Sequence, residues 1–251
     1  MFSRVNWQAQ FSQTAMFGKF ARSQMRVLYR KLYRKFYVAT LEERERAVLS
    51  WWLAIPRELN PRILRSIERF PDFVIYSDAA STGHRMAALL FKGGRRGAPH
   101  ILRAAASAAP KYWADAFSNT NLIYGLELLA LLAFIYMLRF ALKGCSINCY
   151  LDNNNSLSAL IKGDSNTHVI AAMVATFWRV LQKFNIDIFL GRVSSKLNIA
   201  DHPTRSKSEL PYGFDSLTEF NELFRMLMII KRAHQNLFLP NDLVKNLSLR
   251  S

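Results

Sequence analysis

DFVIYSDAAS, residues 72–81, is the stretch on which the fold turns. Phe73 to Tyr76 read as a buried strand, and alternation puts Val74, Tyr76 and Asp78 on one face with the acid at its carboxyl end. A carboxylate closing an apolar run loses hydration, and an isolated buried charge is expensive. Three further acids sit in comparable settings: Glu127 in YGLELLALL (124–132), Asp152 in INCYLDNNN (147–155) and Asp201 in SKLNIADHPTR (195–205). Four such groups from distant parts of the chain make physical sense if they converge on divalent cations.

Outward from Asp78 the pattern is that of an α/β domain. RMAALLFK (85–92), the glycine turn GGRRG (93–97) and HILRAAASA (100–108) form a hairpin after the first strand. Residues 121–143 follow as a long apolar helix ended by Gly144, then SINCYLD (146–152) as a strand. NSLSALIKG (155–163) and THVIAAMVATFWRVLQKF (167–184) are helices, and IDIFLGRV (186–193) is the fifth strand. Asn153, Asn154 and Asn155 mark a helix start. The order β-β-β-α-β-α-α-β predicts a mixed five-stranded sheet flanked by helices. Strands ending in Asp78 and Asp152 place both acids at the carboxyl edge, where α/β sheets build their sites. Glu127 lies one turn into its helix beside Ile123, Tyr124, Ala130 and Leu131, so it faces the sheet.

The first 70 residues differ in character. Residues 18–37 space Met25, Leu28, Tyr29, Leu32, Tyr33 and Phe36 helically and fill much of the rest with Lys and Arg. A helix over 41–54 carries Trp51 and Trp52 as packing anchors and is stopped by Pro56; a shorter one spans 59–69. Three units result: a basic helical segment (1–70), the α/β domain (71–206) and a helical tail (207–251).

Charge bounds the partner. The 251 residues carry 34 Lys+Arg against 18 Asp+Glu, a formal net charge of +16, and the pI is ≈ 10.2. Such a chain attracts polyanions, and Arg26, Arg30, Lys31, Arg34 and Lys35 are the candidate phosphate-gripping residues. The longest apolar run, Leu128 to Leu138, is eleven residues, about half of what a membrane span needs, so it reads as a core helix. Cys145 and Cys149 provide neither a disulfide framework nor a zinc site, and as reduced core thiols they fit an intracellular setting of unspecified compartment. The acid-free start, Met1 to Leu41, has the composition of an organellar presequence as well as of a basic binding helix. The five histidines show no metal-ligand spacing.

Clustered carboxylates repel, so some hold protons unless cations neutralise them. Hard oxygen donors suit Mg²⁺ or Mn²⁺. Two such ions about 4 Å apart activate water and stabilise the leaving oxygen of a phosphodiester. A basic chain with this acid set is a nuclease candidate on chemistry alone.

The segments SDAASTG, ELLALLA, LDNNNSLSAL and LNIADHPTR, in this order and at spacings of 49, 25 and 49 residues between the acids, resemble the ribonuclease H domain attached to reverse transcriptases of retroelements. The nearest pattern is that of DIRS-like elements, whose last motif, roughly N-x-A-D-x-x-S-R, is met by Asn198, Ala200, Asp201 and Arg205. The stretch before the domain resembles the thumb and connection that lead into it. The likeness covers roughly residues 17–206.

It implies the ribonuclease H-like fold and a two-metal endonuclease that cuts the RNA strand of RNA–DNA hybrids, with two Mg²⁺ (or Mn²⁺) on Asp78, Glu127, Asp152 and Asp201. Asp78 is implied to be shared by both ions, Glu127 and Asp152 to hold one, and Asp201 the other, on the side of the attacking water. Ser77, Ser81, Asn153, Arg192, Asn198 and Arg205 are the implied substrate contacts. A polymerase domain in a longer polyprotein is an implied partner, and no membrane is.

The chain departs from the pattern in having Arg192 near where many relatives have a histidine, and no paired-Asp polymerase motif. The alternative is a non-catalytic nucleic-acid-binding or assembly subunit that keeps the fold. An exonuclease of the same superfold wants Asp-x-Glu at the first strand, whereas this chain has Asp78-Ala79-Ala80.

Overall fold

A computed structural model describes residues 22, 25, 26, 28, 43–54, 70–93, 101–117 and 122–205. Its elements in chain order are α1 (Glu43–Ala54), β1 (Phe73–Ala80), β2 (Arg85–Lys92), β3 (Ile101–Ala108), α2 (Lys111–Ala116), α3 (Leu122–Met137), β4 (Ser146–Leu151), α4 (Asn154–Lys162), α5 (His168–Lys183), β5 (Asp187–Arg192) and α6 (Asp201–Arg205). The five strands form one sheet in the order β3-β2-β1-β4-β5. β2 pairs antiparallel with both β1 and β3, while β4 lies parallel to β1 and β5 parallel to β4. A three-stranded meander extended by two parallel strands through helical crossovers is the ribonuclease H-like arrangement.

The central strand explains its own sequence. β1 is paired on both edges and covered on both faces, so it reads as a near-continuous apolar run. On one face Ile75, Ala79, Met86, Ala88, Leu90 and Ala105 pack with α3 and α5 in the main core. On the other, Leu89, Phe91, Ile101, Ala104 and Ala200 form a smaller cluster that Val74, Tyr76 and Ile199 join.

α3 is apolar around its circumference because it is enclosed: thirteen residues, Tyr124 through Tyr136, are buried. It touches β1, β2 and α5. It ends at Met137, several residues before the expected 143. The chain then descends through turns to Gly144, whose φ of 74° suits a residue without a Cβ. α4 is capped as its sequence proposes. The Asn153 side chain accepts the Asn155 and Ser156 N–H groups, and Gly163 closes the helix in the left-handed conformation.

α2 is the element the sequence reading passes over, hidden behind an alanine-rich strand. Pro110 accepts the Trp113 N–H at its start, and Trp113 is wholly enclosed in the core.

Met25, Leu28, Val48 and Trp52 lie in the same apolar cluster as Ile75 and the α3 residues. Arg26 is drawn down with them. Its guanidinium donates to Asp164 Oδ2 (3.1 Å), to the Ser165 carbonyl and to Asn166 Oδ1 (2.9 Å). Arg26 is expected to grip phosphate; in the fold its side chain is instead bound to the α4–α5 loop, which offers it three oxygens. Arg30, Lys31, Arg34 and Lys35, the helix expected over 59–69 and the tail 207–251 lie outside the described residues. Among the described residues no helix is long and apolar enough to cross a membrane.

Candidate metal centre

Strand register brings the first two acids together. Tyr76 of β1 is the direct partner of Tyr150 in the parallel β4, and their rings stack with centroids 5.2 Å apart. Two residues further along each strand direction, on the same side, stand Asp78 and Asp152. α3 lies against β1 and delivers Glu127 to the same point. Asp78, Glu127 and Asp152 each offer a carboxylate oxygen, and these three atoms lie within 4.8 Å of one another. Carboxylate oxygens are hard donors of the kind divalent cations take, and the three are close enough together that they could share one ion.

The electrostatics support that match. Burial pushes the Asp78 carboxyl up to about 6, with the neighbouring Asp152 and Asp201 charges adding to the rise and a Thr204 hydrogen bond opposing it. Glu127 is 1% exposed and is driven further, to about 9. Burial is the chief cause, followed by a hydrogen bond with Asp152 that requires a proton on one of the pair. Ser156 Oγ (2.5 Å, to Oε2) and the Asn153 N–H (3.2 Å, to Oε1) donate to Glu127 and moderate the shift. Buried side by side, the carboxyls disfavour one another's charged forms, a repulsion that a retained proton or a bound cation would relieve.

Asp201 does not complete the triad. It opens α6, and its Oδ1 accepts the Arg205 Nε–H at 2.7 Å. It remains close enough to Asp78 to raise it.

Two side-chain bonds fix α6 against the sheet, and a third ties the loop before it to β1. Thr204 Oγ1 lies 2.8 Å from Asp78 Oδ2 and 2.7 Å from the Asp201 carbonyl. Arg85 Nη2 donates to the Pro203 carbonyl at 3.3 Å. Asn198 Nδ2 donates to the Ser77 carbonyl at 3.0 Å, while its Oδ1 accepts the Ala200 N–H at 3.2 Å.

The expected substrate contacts thus divide by placement. Ser81 follows β1 and is exposed, and Arg192, exposed, ends β5; both stand at the carboxyl edge with the acids. Arg205 is exposed and engaged by Asp201. Asn153 spends its side-chain oxygen on the α4 cap.

Two expectations are corrected. Ser77 is fully buried, because alternation turns it away from Asp78 to the face that Ile75 and Ala79 give to the main core; its Oγ has no hydrogen-bond partner among the described residues. Asn198 is 4% exposed and acts as a strap between the loop and β1 instead of facing substrate.

Sequence reasoning missed Thr204 and Ser156. Thr204 had a signal, since it occupies the hydroxyl position of the N-x-A-D-x-x-S-R pattern. Ser156, inside a helix start rich in Asn, had none.

Asn198→Ala is expected to destabilise the protein by about 2 kcal/mol, since it leaves a buried carbonyl and N–H without partners. The cost should appear as a lower denaturant midpoint with an unchanged slope.

No protein-family model and no curated protein matches the sequence. Among solved structures the chain is similar to RNase H1 from the halophilic archaeon Halobacterium salinarum NRC-1, at 18% identity and a TM-score of 0.37, covering 50% of this chain and 88% of that one. It is also similar to the protease-reverse transcriptase of prototype foamy virus, at 10% identity and a TM-score of 0.31, covering 64% of this chain and 25% of that one. The ribonuclease H-like fold rests on strand order and register.

Proposed function

We propose that this chain is a divalent-metal-dependent endonuclease that cleaves the RNA strand of an RNA–DNA hybrid. The observation that carries the reading is the convergence of Asp78, Glu127 and Asp152 at one sheet edge, with ligand atoms within 4.8 Å and two of the three carboxyls pushed towards protonation. The geometry supports a hydrolase better than a structural acid cluster, because burying unneutralised carboxylates lowers stability.

Asp78, Glu127 and Asp152 would hold the ion, Mg²⁺ by hardness, and Asp201 would hold a second. When bound, such ions polarise water and stabilise the leaving oxygen of an in-line phosphodiester displacement. The protein's own residues do the positioning. Thr204 occupies one oxygen of Asp78 and so orients the other. Ser156 and the Asn153 N–H fix the Glu127 carboxyl. Arg192 and Ser81, exposed at the same sheet edge, would meet the substrate backbone, and recognition of the RNA strand would run through its 2′-hydroxyls. The chain's excess of positive charge supports salt-sensitive binding of the hybrid. The motif order also leads us to infer descent from the ribonuclease H region of a DIRS-like reverse transcriptase, with a polymerase domain as a partner in a longer polyprotein.

One observation favours a second reading, a nucleic-acid-binding subunit without catalysis: Asp201 is engaged by Arg205. Purified chain incubated with an end-labelled RNA–DNA hybrid and Mg²⁺ separates the two. Chelator-sensitive cutting of the RNA strand, with DNA duplex left intact, is the expected result. Hybrid binding without cutting in either Mg²⁺ or Mn²⁺ would favour the second reading, and chelator-resistant cutting would overturn both.

A further inference from the structure

Arg205 is the one basic side chain that reaches the acid cluster among the described residues. Its Nε–H lies 2.7 Å from Asp201 Oδ1, and its side chain is 72% exposed against 31% for Asp201. Asp78 and Asp152 are also near enough to act on its charge. The two ends of this pair differ in freedom. The backbone of α6 is anchored through Thr204 to Asp78 and through Pro203 to Arg85, and Asn198 straps the preceding loop to Ser77. Asp201 is therefore fixed at the edge of the triad, while Arg205, at the end of a long unburied side chain, can swing.

We propose that Arg205 is an exchangeable placeholder cation for Asp201, which it surrenders when a substrate phosphate takes the guanidinium. The proposal rests on the metal-centre reading above and deepens it. The guanidinium is charged at all working pH values, so Asp201 is neutralised before any ion arrives. An exposed carboxylate–guanidinium pair is weak, whereas phosphate offers the guanidinium a bidentate, charge-assisted contact. Exchange from carboxylate to phosphate is thus downhill in contact quality and frees the Asp201 oxygen. An ion that takes Asp201 as ligand must otherwise displace Arg205 and then sit beside its charge. Phosphate engagement and ion loading at Asp201 then favour each other, and by linkage the coupling is reciprocal. Arg205 is on this view a positioning residue that makes the fourth carboxylate available only when substrate is present.

The test is calorimetric titration of Mg²⁺ into the whole chain without nucleic acid, comparing wild type with Arg205→Gln and Arg205→Lys. In wild type a first ion binds at the triad and a second binds weakly. In Arg205→Gln the first event is unchanged and the second tightens several-fold. Arg205→Lys keeps the charge and leaves the second event weak. In cleavage assays Arg205→Gln lowers the Mg²⁺ concentration giving half-maximal rate and raises KM for the hybrid several-fold. Unchanged second-ion affinity in Arg205→Gln overturns the placeholder role while leaving the metal centre standing. Absence of any Mg²⁺ binding in wild type overturns both.

Discussion

Asp78→Asn is expected to reduce hybrid cleavage by about a thousandfold or more, roughly 4 kcal/mol in the barrier, without unfolding the protein. Asp78 is where the site's geometry meets: it shares the triad with Glu127 and Asp152, feels the Asp201 charge and bonds Thr204. Asn has the same shape and keeps an oxygen for the Thr204 hydroxyl, so packing and the α6 contact survive. It lacks the charge and the second carboxylate oxygen that a hard cation requires.

The substitution also removes a strained charge. A carboxyl raised from 3.8 to about 6 in the fold contributes stability that is fully present below the unfolded value and lost as pH rises through the folded one. Without added metal the variant should therefore melt no lower than wild type at pH 7 and slightly higher. Single-turnover cleavage at saturating Mg²⁺, read beside thermal unfolding, checks both halves. A variant that retains a tenth of wild-type activity is incompatible with the proposed site.

Glu127→Gln should stabilise the metal-free protein at pH 8 by about 2 kcal/mol, a melting increase of roughly 5 °C, and have almost no effect at pH 4. The sign follows from the direction of the shift. The Glu127 carboxyl is raised from 4.5 to about 9, so the folded state binds a proton that the unfolded chain releases. Stability is intact below about pH 4.5 and declines as pH rises towards 9. Gln has no such proton to retain. Its amide oxygen can accept the Asn153 N–H, while its NH₂ can donate to Asp152 or to Ser156 Oγ, whose own proton can turn to the Tyr124 carbonyl, so most of the hydrogen bonding is kept.

Saturating Mg²⁺ should reverse the order, stabilising wild type and doing little for the variant, because ions bind the deprotonated carboxylate. Melting curves from pH 4 to 9, with and without Mg²⁺, decide the matter. Parallel curves for the two proteins across that range would show that Glu127 is not held protonated by the cluster.

These residues also show how far the chain can be read without its structure. The strands at 73–80, 85–92 and 101–108 follow from short apolar runs and the glycine turn, which are local. α2 was hidden because Pro110 and KYWADA directly follow an alanine-rich strand and are too short to establish a helical period. Ser77 and Asp78 differ in fate only because adjacent strand residues point to opposite faces; the sequence shows the alternation, and the sheet's coverings decide the outcome. Asn198 was read as facing substrate because it sits in the motif. Its use as a strap depends on the Ser77 carbonyl, 121 residues away in sequence.

The strand and helix grammar, the basic character and the four acids in apolar settings are legible in the chain, since each is a property of neighbouring residues or of composition. That three of those acids meet within 4.8 Å and that the fourth is engaged by Arg205 comes from the folded arrangement. The reason is physical. Convergence depends on which strands pair and in what register, here Tyr76 opposite Tyr150, and desolvation exists only once the surrounding core has closed. A carboxylate's position can be written in the chain, but its charge state belongs to the fold.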